Sequence, residues 1–237
     1  GFHDDPYPVY RALREHIPVK PLSDGGFFLT QYDHLVAVYK DTRTFSSDKK
    51  KEFKPKFGDS FLYEHHTTSL VFSDPPLHTR VRKLISGALT PKAISNMESG
   101  LIQLVDHLLD RMKDKTHQRG EVDLINDFAS AIPIEVIGNL LGVPVDERGP
   151  LREWSLALLG ALEPVLSQEA LDRGNRAVEE FIDYLNGLIA RRRESLGNPD
   201  TDVLTRLILG ESDGEKLSPK ELLHNCIFLL NAGHETT

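Results

Sequence analysis

Cysteine is almost absent: Cys226 is the one cysteine in 237 residues, so no disulfide can close within the chain and little is left for cysteine-rich metal chemistry. Such usage fits a reducing compartment, and the expected location is cytoplasmic. No apolar run approaches the roughly 20 residues that a bilayer-spanning helix requires, and the N-terminus lacks a signal-peptide pattern, so no membrane is expected as a partner. Concentrated positive charge is also missing. Beyond Lys49-Lys50-Lys51 and Arg191-Arg192-Arg193 there is no basic cluster, and the formal net charge is −8. Phosphate recognition needs clustered basic side chains, so nucleic acid is not an expected partner. The sequence shows no internal repeat and no low-complexity segment.

The hydrophobic fraction is 39% and the charged fraction 27%, enough for one substantial core or two modest ones. Residues 1–237 read as a single-domain portion, mainly α with a small β-sheet. Asp4–His16 reads as a short helix. Pro18-Val19 and Phe27–Thr30 flank Asp24-Gly25-Gly26 as strand, turn and strand. Tyr32–Lys40 is helical again. Thr42–Val71 has no sustained period and reads as a long loop with a binding role. A helix follows Asp74, capped by Ser73 or Asp74 with Pro75 in its first turn. Pro91 opens another, with an apolar stripe of Ile94, Met97, Leu101, Leu104, Val105, Leu108 and Leu109. Val122–Leu124 suggests a short strand, and Ile125–Leu141 an apolar helix stopped by Gly142 and Pro144. Pro150–Leu162 and Gln168–Leu196 form two helices joined through Glu163-Pro164.

Two stretches carry chemistry. In Ser73–Arg82, winding at about 100° per residue puts Leu77, Val81, Leu84 and Ala88 on one narrow face. His78 and Arg82 stand one turn apart on its shoulder, while Arg80 and Lys83 point elsewhere. The pair fits an anion clamp. It also fits a boundary histidine beside a snorkelling arginine. The second stretch is the last helix, opened by the capping box Ser218-Pro219-Lys220-Glu221. It is apolar nearly all round until Asn231-Ala232-Gly233-His234-Glu235-Thr236-Thr237. There Ala232 and Gly233 remove side-chain bulk, at about 1 kcal/mol for the glycine, and Glu235 and Thr236 add a carboxylate and a hydroxyl. A helix-packing notch and a ligand groove both account for those residues. His234-Glu235 is also the first half of a zinc-protease H-E-x-x-H signature.

Taken together, "DPPLHTRVRKLISGALTPKAI" (residues 74–94) and "NAGHETT" (231–237) resemble the cytochrome P-450 superfamily of haem-thiolate monooxygenases in its soluble bacterial form, and the helix order resembles that family throughout. The resemblance implies a cytochrome P-450-like fold, truncated in its long central helix. It implies haem b held at a propionate by His78 and Arg82, an oxygen groove lined by Ala232 and Gly233, and the catalytic acid–alcohol pair Glu235 and Thr236. It further implies dioxygen, a small and mostly apolar organic substrate, and electrons from a ferredoxin- or flavodoxin-type donor. Residues 61–72 and the flanks of Glu163-Pro164 would shape the substrate pocket and its lid.

The family's glycine-rich thiolate loop and its E-x-x-R pair have no counterpart here. Cys226 is no substitute, because it lies in the apolar body of the helix that would cover the oxygen side. The last residues sit inside a helical pattern with no stop signal, so the chain reads as the N-terminal, distal part of a longer protein, inactive alone. Two other classes share features with it: a haem-free P-450-like partner protein, and a zinc metalloprotease fragment using His234 and Glu235.

Overall fold

The computed structural model describes residues 2–200, 202–210 and 216–235. The chain is mainly helical and divides into two compact units, residues 1–47 and 48–237. In the first unit, helix α1 (Tyr7–His16) precedes strands β1 (Val19–Pro21) and β2 (Phe27–Leu29), and helix α2 (Tyr32–Lys40) follows. The strands pair antiparallel, with Val19 opposite Leu29 and Lys20 opposite Phe28. Gly25, at φ 85°, takes the left-handed position in the connecting turn, where a side chain is strained.

The second unit differs from the sequence expectation at its start. Instead of a continuous loop, residues 42–71 contain helix α3 (Lys50–Phe57) and helix α4 (Phe61–Thr68). Neither is long enough to show a period. Each is fixed by packing: Phe53 and Phe57 from α3 and Leu62 from α4 are buried. The sequence did hold one signal, Ser60, whose Oγ accepts the Tyr63 N–H at 3.3 Å as an N-cap. Helix α5 (Leu77–Ala88) begins after a cis Pro75–Pro76 bond, with Pro76 at its N-cap, later than the expected cap at Ser73 or Asp74. Ser73 instead turns its Oγ back to the Ser69 carbonyl at 3.0 Å.

The expected helix from Pro91 is broken into α6 (Pro91–Ser95) and α7 (Glu98–Arg119). Of the α7 stripe only Leu108 is buried, while Leu101 and Leu109 face solvent among the described residues. Val122–Leu124 is not a strand. Asp123 accepts the N–H groups of Ile125 and Asn126, and this turn leads into a π-helical segment, Ile125–Ala129. Helices α8 (Ala131–Leu140), α9 (Leu151–Gly160) and α10 (Gln168–Glu194) follow. Helix α11 (Val203–Leu209) has no counterpart in the sequence reading; Asp202 caps it by accepting the Thr205 N–H at 3.0 Å.

The last helix, α12 (Pro219–Glu235), is central and packs against α4, α8, α9 and α10. Leu222, Cys226, Ile227, Leu229 and Leu230 on it are buried, as its all-round apolar sequence requires. α9 and α10 run antiparallel: Ala157 and Ala161 meet Gly174, and seven residues on in each direction Trp154 lies against Phe181 with ring centroids 4.7 Å apart. A Cβ at Gly174 would stand 3.0 Å from Leu62 Cδ1 and 3.1 Å from Ala161 Cβ, so the glycine is what lets α4, α9 and α10 meet. Its helix penalty is about 1 kcal/mol. Burial of neighbours such as Phe181 or Leu185 contributes about 1.5–3 kcal/mol each, which outweighs that cost.

Candidate haem-edge and oxygen-side site

α5 has the amphipathic winding read from its sequence. Val81, Leu84, Ile85 and Ala88 are buried, His78 is half-buried and Arg82 is exposed one turn further on. Neither the His78 ring nor the Arg82 guanidinium has a hydrogen-bond or ion-pair partner among the described residues. Arg80, on the same helix, is differently placed. It forms an ion pair with Glu221 on α12 and donates to the Lys216 carbonyl at 3.2 Å. Burial pushes the Glu221 carboxyl up, but the bonds from Arg80 and Ser218 outweigh it and hold the group below its usual range. So one arginine of α5 is committed to docking the helix on α12, and the other is free to bind something else.

The start of α12 is the capping box read from the sequence. The Ser218 N–H donates to Glu221 Oε2 at 2.8 Å, and the Glu221 N–H donates to Ser218 Oγ at 3.2 Å. One turn on, Asn225 is fully buried; its Nδ2 donates to the Glu221 carbonyl at 2.8 Å and its Oδ1 accepts the Leu70 N–H at 3.0 Å. Asn225 thus fixes the segment that leads into α5, a role that no motif announced. Cys226 is completely buried, and burial pushes its thiol up to about 12. That is the inert small hydrophobe expected of it.

At the far end the two small residues separate. Ala232 is exposed, whereas a Cβ at Gly233 would lie 3.1 Å from Ile137 Cδ1 on α8. The smallness of Gly233 serves the contact between α12 and α8. His234 is buried, and its Nδ1 lies 3.2 Å from the buried Ser155 Oγ of α9. That contact places His234 in the core beside α9. Thr236 lies outside the described residues, as does the side chain of Glu235, so their sequence-assigned pairing rests on register alone.

The family description "Cytochrome P450" matches residues 15–237. The chain belongs to the cytochrome P450 family. Among its P450 relatives, the "Biotin biosynthesis cytochrome P450" of Bacillus subtilis (strain 168) is 32% identical over 239 residues, covering 100% of this chain and 58% of the relative. The "6-deoxyerythronolide B hydroxylase" of Saccharopolyspora erythraea is 34% identical over 248 residues, again 100% of this chain and 58% of the relative. A solved structure of P450BioI in complex with hexadec-9Z-enoic acid ligated acyl carrier protein superposes with a TM-score of 0.85 at 31% identity, over 99% of this chain and 59% of that one. The chain therefore spans less than two thirds of the length of these P450 relatives. Members of the P450 family use haem and take electrons from redox partners. No described helix is long and apolar enough to cross a membrane.

Proposed function

We propose that this chain supplies the haem-edge clamp and the oxygen-side helix of a haem-thiolate monooxygenase that hydroxylates a small, mostly apolar organic substrate. The observation that carries this reading is the pair on α5: His78 and Arg82 are one turn apart with no counter-charge among the described residues, beside an Arg80 that has one. A cofactor edge bearing carboxylates suits that donor set, because a guanidinium binds carboxylate through charge-assisted bonds. When bound, haem supplies dioxygen activation and the insertion of one oxygen atom into the substrate, with electrons from a ferredoxin- or flavodoxin-type donor.

The chain's own residues have narrower tasks. His78 and Arg82 hold a propionate. Ala232, exposed on α12, leaves room beside the cofactor. Gly233 lets α12 settle on Ile137, which fixes how deep that helix lies. Glu235 and Thr236 pass protons toward the oxygen side. Residues 61–72 and the connection around Glu163-Pro164 border the substrate space, and Lys56 of α3 holds that connection by donating to the Leu162 and Glu163 carbonyls at 3.2 and 2.8 Å.

The clamp is tested by comparing Arg82→Leu with Arg80→Leu. Loss of a charge-assisted bond to a carboxylate costs about 1.5–3 kcal/mol, or roughly 10–150-fold in affinity. Arg82→Leu is expected to weaken haem retention by that factor, measured by transfer of haem to apomyoglobin. Arg80→Leu is expected to lower the melting temperature through the lost Glu221 pair, with a much smaller effect on haem transfer. Equal haem loss in the two variants would remove the assignment.

A second expectation concerns Cys226. It shares α12 with Ala232, and one straight helix cannot serve both faces of a flat macrocycle. Its buried thiol also resists ionisation. The 237-residue chain reconstituted with haem is therefore expected to lack the red-shifted Soret band of a thiolate-ligated carbon-monoxide complex. Such a band, abolished by Cys226→Ala, would overturn this account.

A further inference from the structure

Three histidines that the proposed chemistry does not use lie together between α4 and α12. His65 and His66 on α4 and His224 on α12 are 3%, 4% and 1% exposed. The His65 ring centroid is 5.1 Å from that of His66 and 5.6 Å from that of His224. His66 is further enclosed by the rings of Phe53, Phe57 and Phe72. Buried, unbonded nitrogens remain at His65 Nδ1, His66 Nε2 and His224 Nδ1 among the described residues. The cluster is not set for a metal ion, since no group of three His, Cys, Asp or Glu side chains among the described residues converges in that way.

Charged groups face the cluster from each side. From α3 comes Lys56, whose charge acts on His66. From α4 itself comes Glu64, whose Oε1 is 3.1 Å from His224 Nε2, and from α12 comes Lys220, 2.9 Å from Glu64 Oε2. On the α10 side the neighbours of α4 are Asn175, which accepts the Leu62 N–H at 3.0 Å, and Gly174. Glu64 serves His224, and among the described residues His65 and His66 have no carboxylate bonded to them that would offset an added proton. An open hollow of about 400 Å³, lined in part by Glu64, Thr67 and Lys220, reaches the Glu64 side chain that bonds His224.

We propose that the His65–His66–His224 cluster makes α4 an acid-released clasp, which lies docked against α10 and α12 while its imidazoles are neutral and lets go when His65 and His66 take up protons. Neighbouring cations within about 6 Å repel one another, and no internal acceptor offsets their lost hydration. Burial, with the charges of Lys56 and His224, pushes His66 down to about 4, and burial with His66 and His224 holds His65 well below the ordinary imidazole range. An undocked α4 would return both to ordinary behaviour near 6.5, so opening is coupled to proton uptake. Docking is at full strength above that value and weakens as pH falls from about 6.5 toward about 4. At His224 burial lowers proton affinity while Glu64 raises it, so the pair on α4 carries most of the effect. The clasp does not depend on the haem assignment.

Amide hydrogen exchange on the intact protein, corrected for intrinsic rates, tests it. With two histidines that take up protons below about pH 6.5 only when α4 is undocked, each contributing roughly 20-fold over this range, amides of residues 62–70 are expected to lose roughly 500-fold protection between about pH 7 and about pH 5. Amides of α10 should keep theirs. The double variant His65→Phe/His66→Phe retains rings of similar size without the protons, and residues 62–70 should stay protected. Unchanged protection in the wild type, parallel loss in the double variant, or simultaneous loss across α10 would each overturn the proposal. If the double variant does not dock at neutral pH, exchange of the imidazole C2–H in the wild type reads the titration directly. Values for His65 and His66 at or above the ordinary range would equally overturn it, and depressed values would support it.

Discussion

Arg148→Met is expected to cost about 3–5 kcal/mol of folding stability, the range for breaking a buried ion pair from one side. The guanidinium is 6% exposed and closes off the end of α8. Its Nε and Nη2 donate to the Val143 carbonyl at 3.0 and 2.8 Å, and Nη2 also donates to Asn139 Oδ1 at 2.8 Å. Nη1 donates to the Glu135 carbonyl at 3.3 Å and pairs with the Glu135 carboxylate. Methionine fills the space but leaves the Val143 carbonyl and Asn139 amide without this donor. Because Glu135 keeps 28% exposure, water recovers part of its loss and the lower end of the range is expected. Glu135→Gln should cost about 1 kcal/mol, since the carbonyl bonds survive. Gly138→Ala should destabilise through the same residue, because a Cβ there would lie 2.6 Å from Arg148 Nε. Urea titration measures all three. A loss for Arg148→Met no larger than that for Glu135→Gln would show that the carbonyl contacts contribute nothing.

In the intact protein, loaded with haem and supplied with electrons, Glu235→Gln is expected to slow turnover by about 10²–10⁴-fold, the usual contribution of a positioned acid–base group. The amide keeps the shape and the hydrogen-bonding capacity of the carboxylate but cannot carry the proton. Thr236→Ala should act differently. Haem and substrate binding should remain nearly unchanged, while consumed oxygen is diverted from product to hydrogen peroxide. Measuring product, oxygen uptake and peroxide together separates the two. Normal rate and normal coupling in both variants would refute the proton-handling roles given to these residues.

What could be read from the sequence was what local chemistry determines. The capping box at Ser218, the run of apolar residues behind it, and the amphipathic winding of α5 all stand as read, because each is set within a few residues. Helices α3 and α4 escaped notice for the opposite reason. They are eight residues each and are stabilised by partners far along the chain, such as Asn175 for α4 and the Leu162 and Glu163 carbonyls for Lys56. The clustering of His65 and His66 with His224, more than 150 positions later, could not be seen in either stretch. Gly233 illustrates a subtler limit. Its sequence neighbourhood announces a close approach, but only the partner, Ile137, says which side of the helix is approached.

The place of α12 bears on how the chain is made. The helix that occupies the middle of the second unit is also the last of the described helices to be synthesised. At roughly 5–20 residues per second, the ribosome takes on the order of seconds to proceed from the end of α10 to the end of α12. During that interval α4, α8, α9 and α10 exist without the apolar surface they enclose, so Ile137, Leu158 and Phe181 are left to pair among themselves or with whatever else is at hand. α9 and α10 can form their antiparallel pair at once, since the residues they join are close in sequence. The histidine cluster, the Asn225 bond to Leu70 and the Arg80–Glu221 pair all wait for α12. The nascent chain therefore passes through a stage with a formed helical hairpin and an open trough beside it, the kind of surface that holdase chaperones bind.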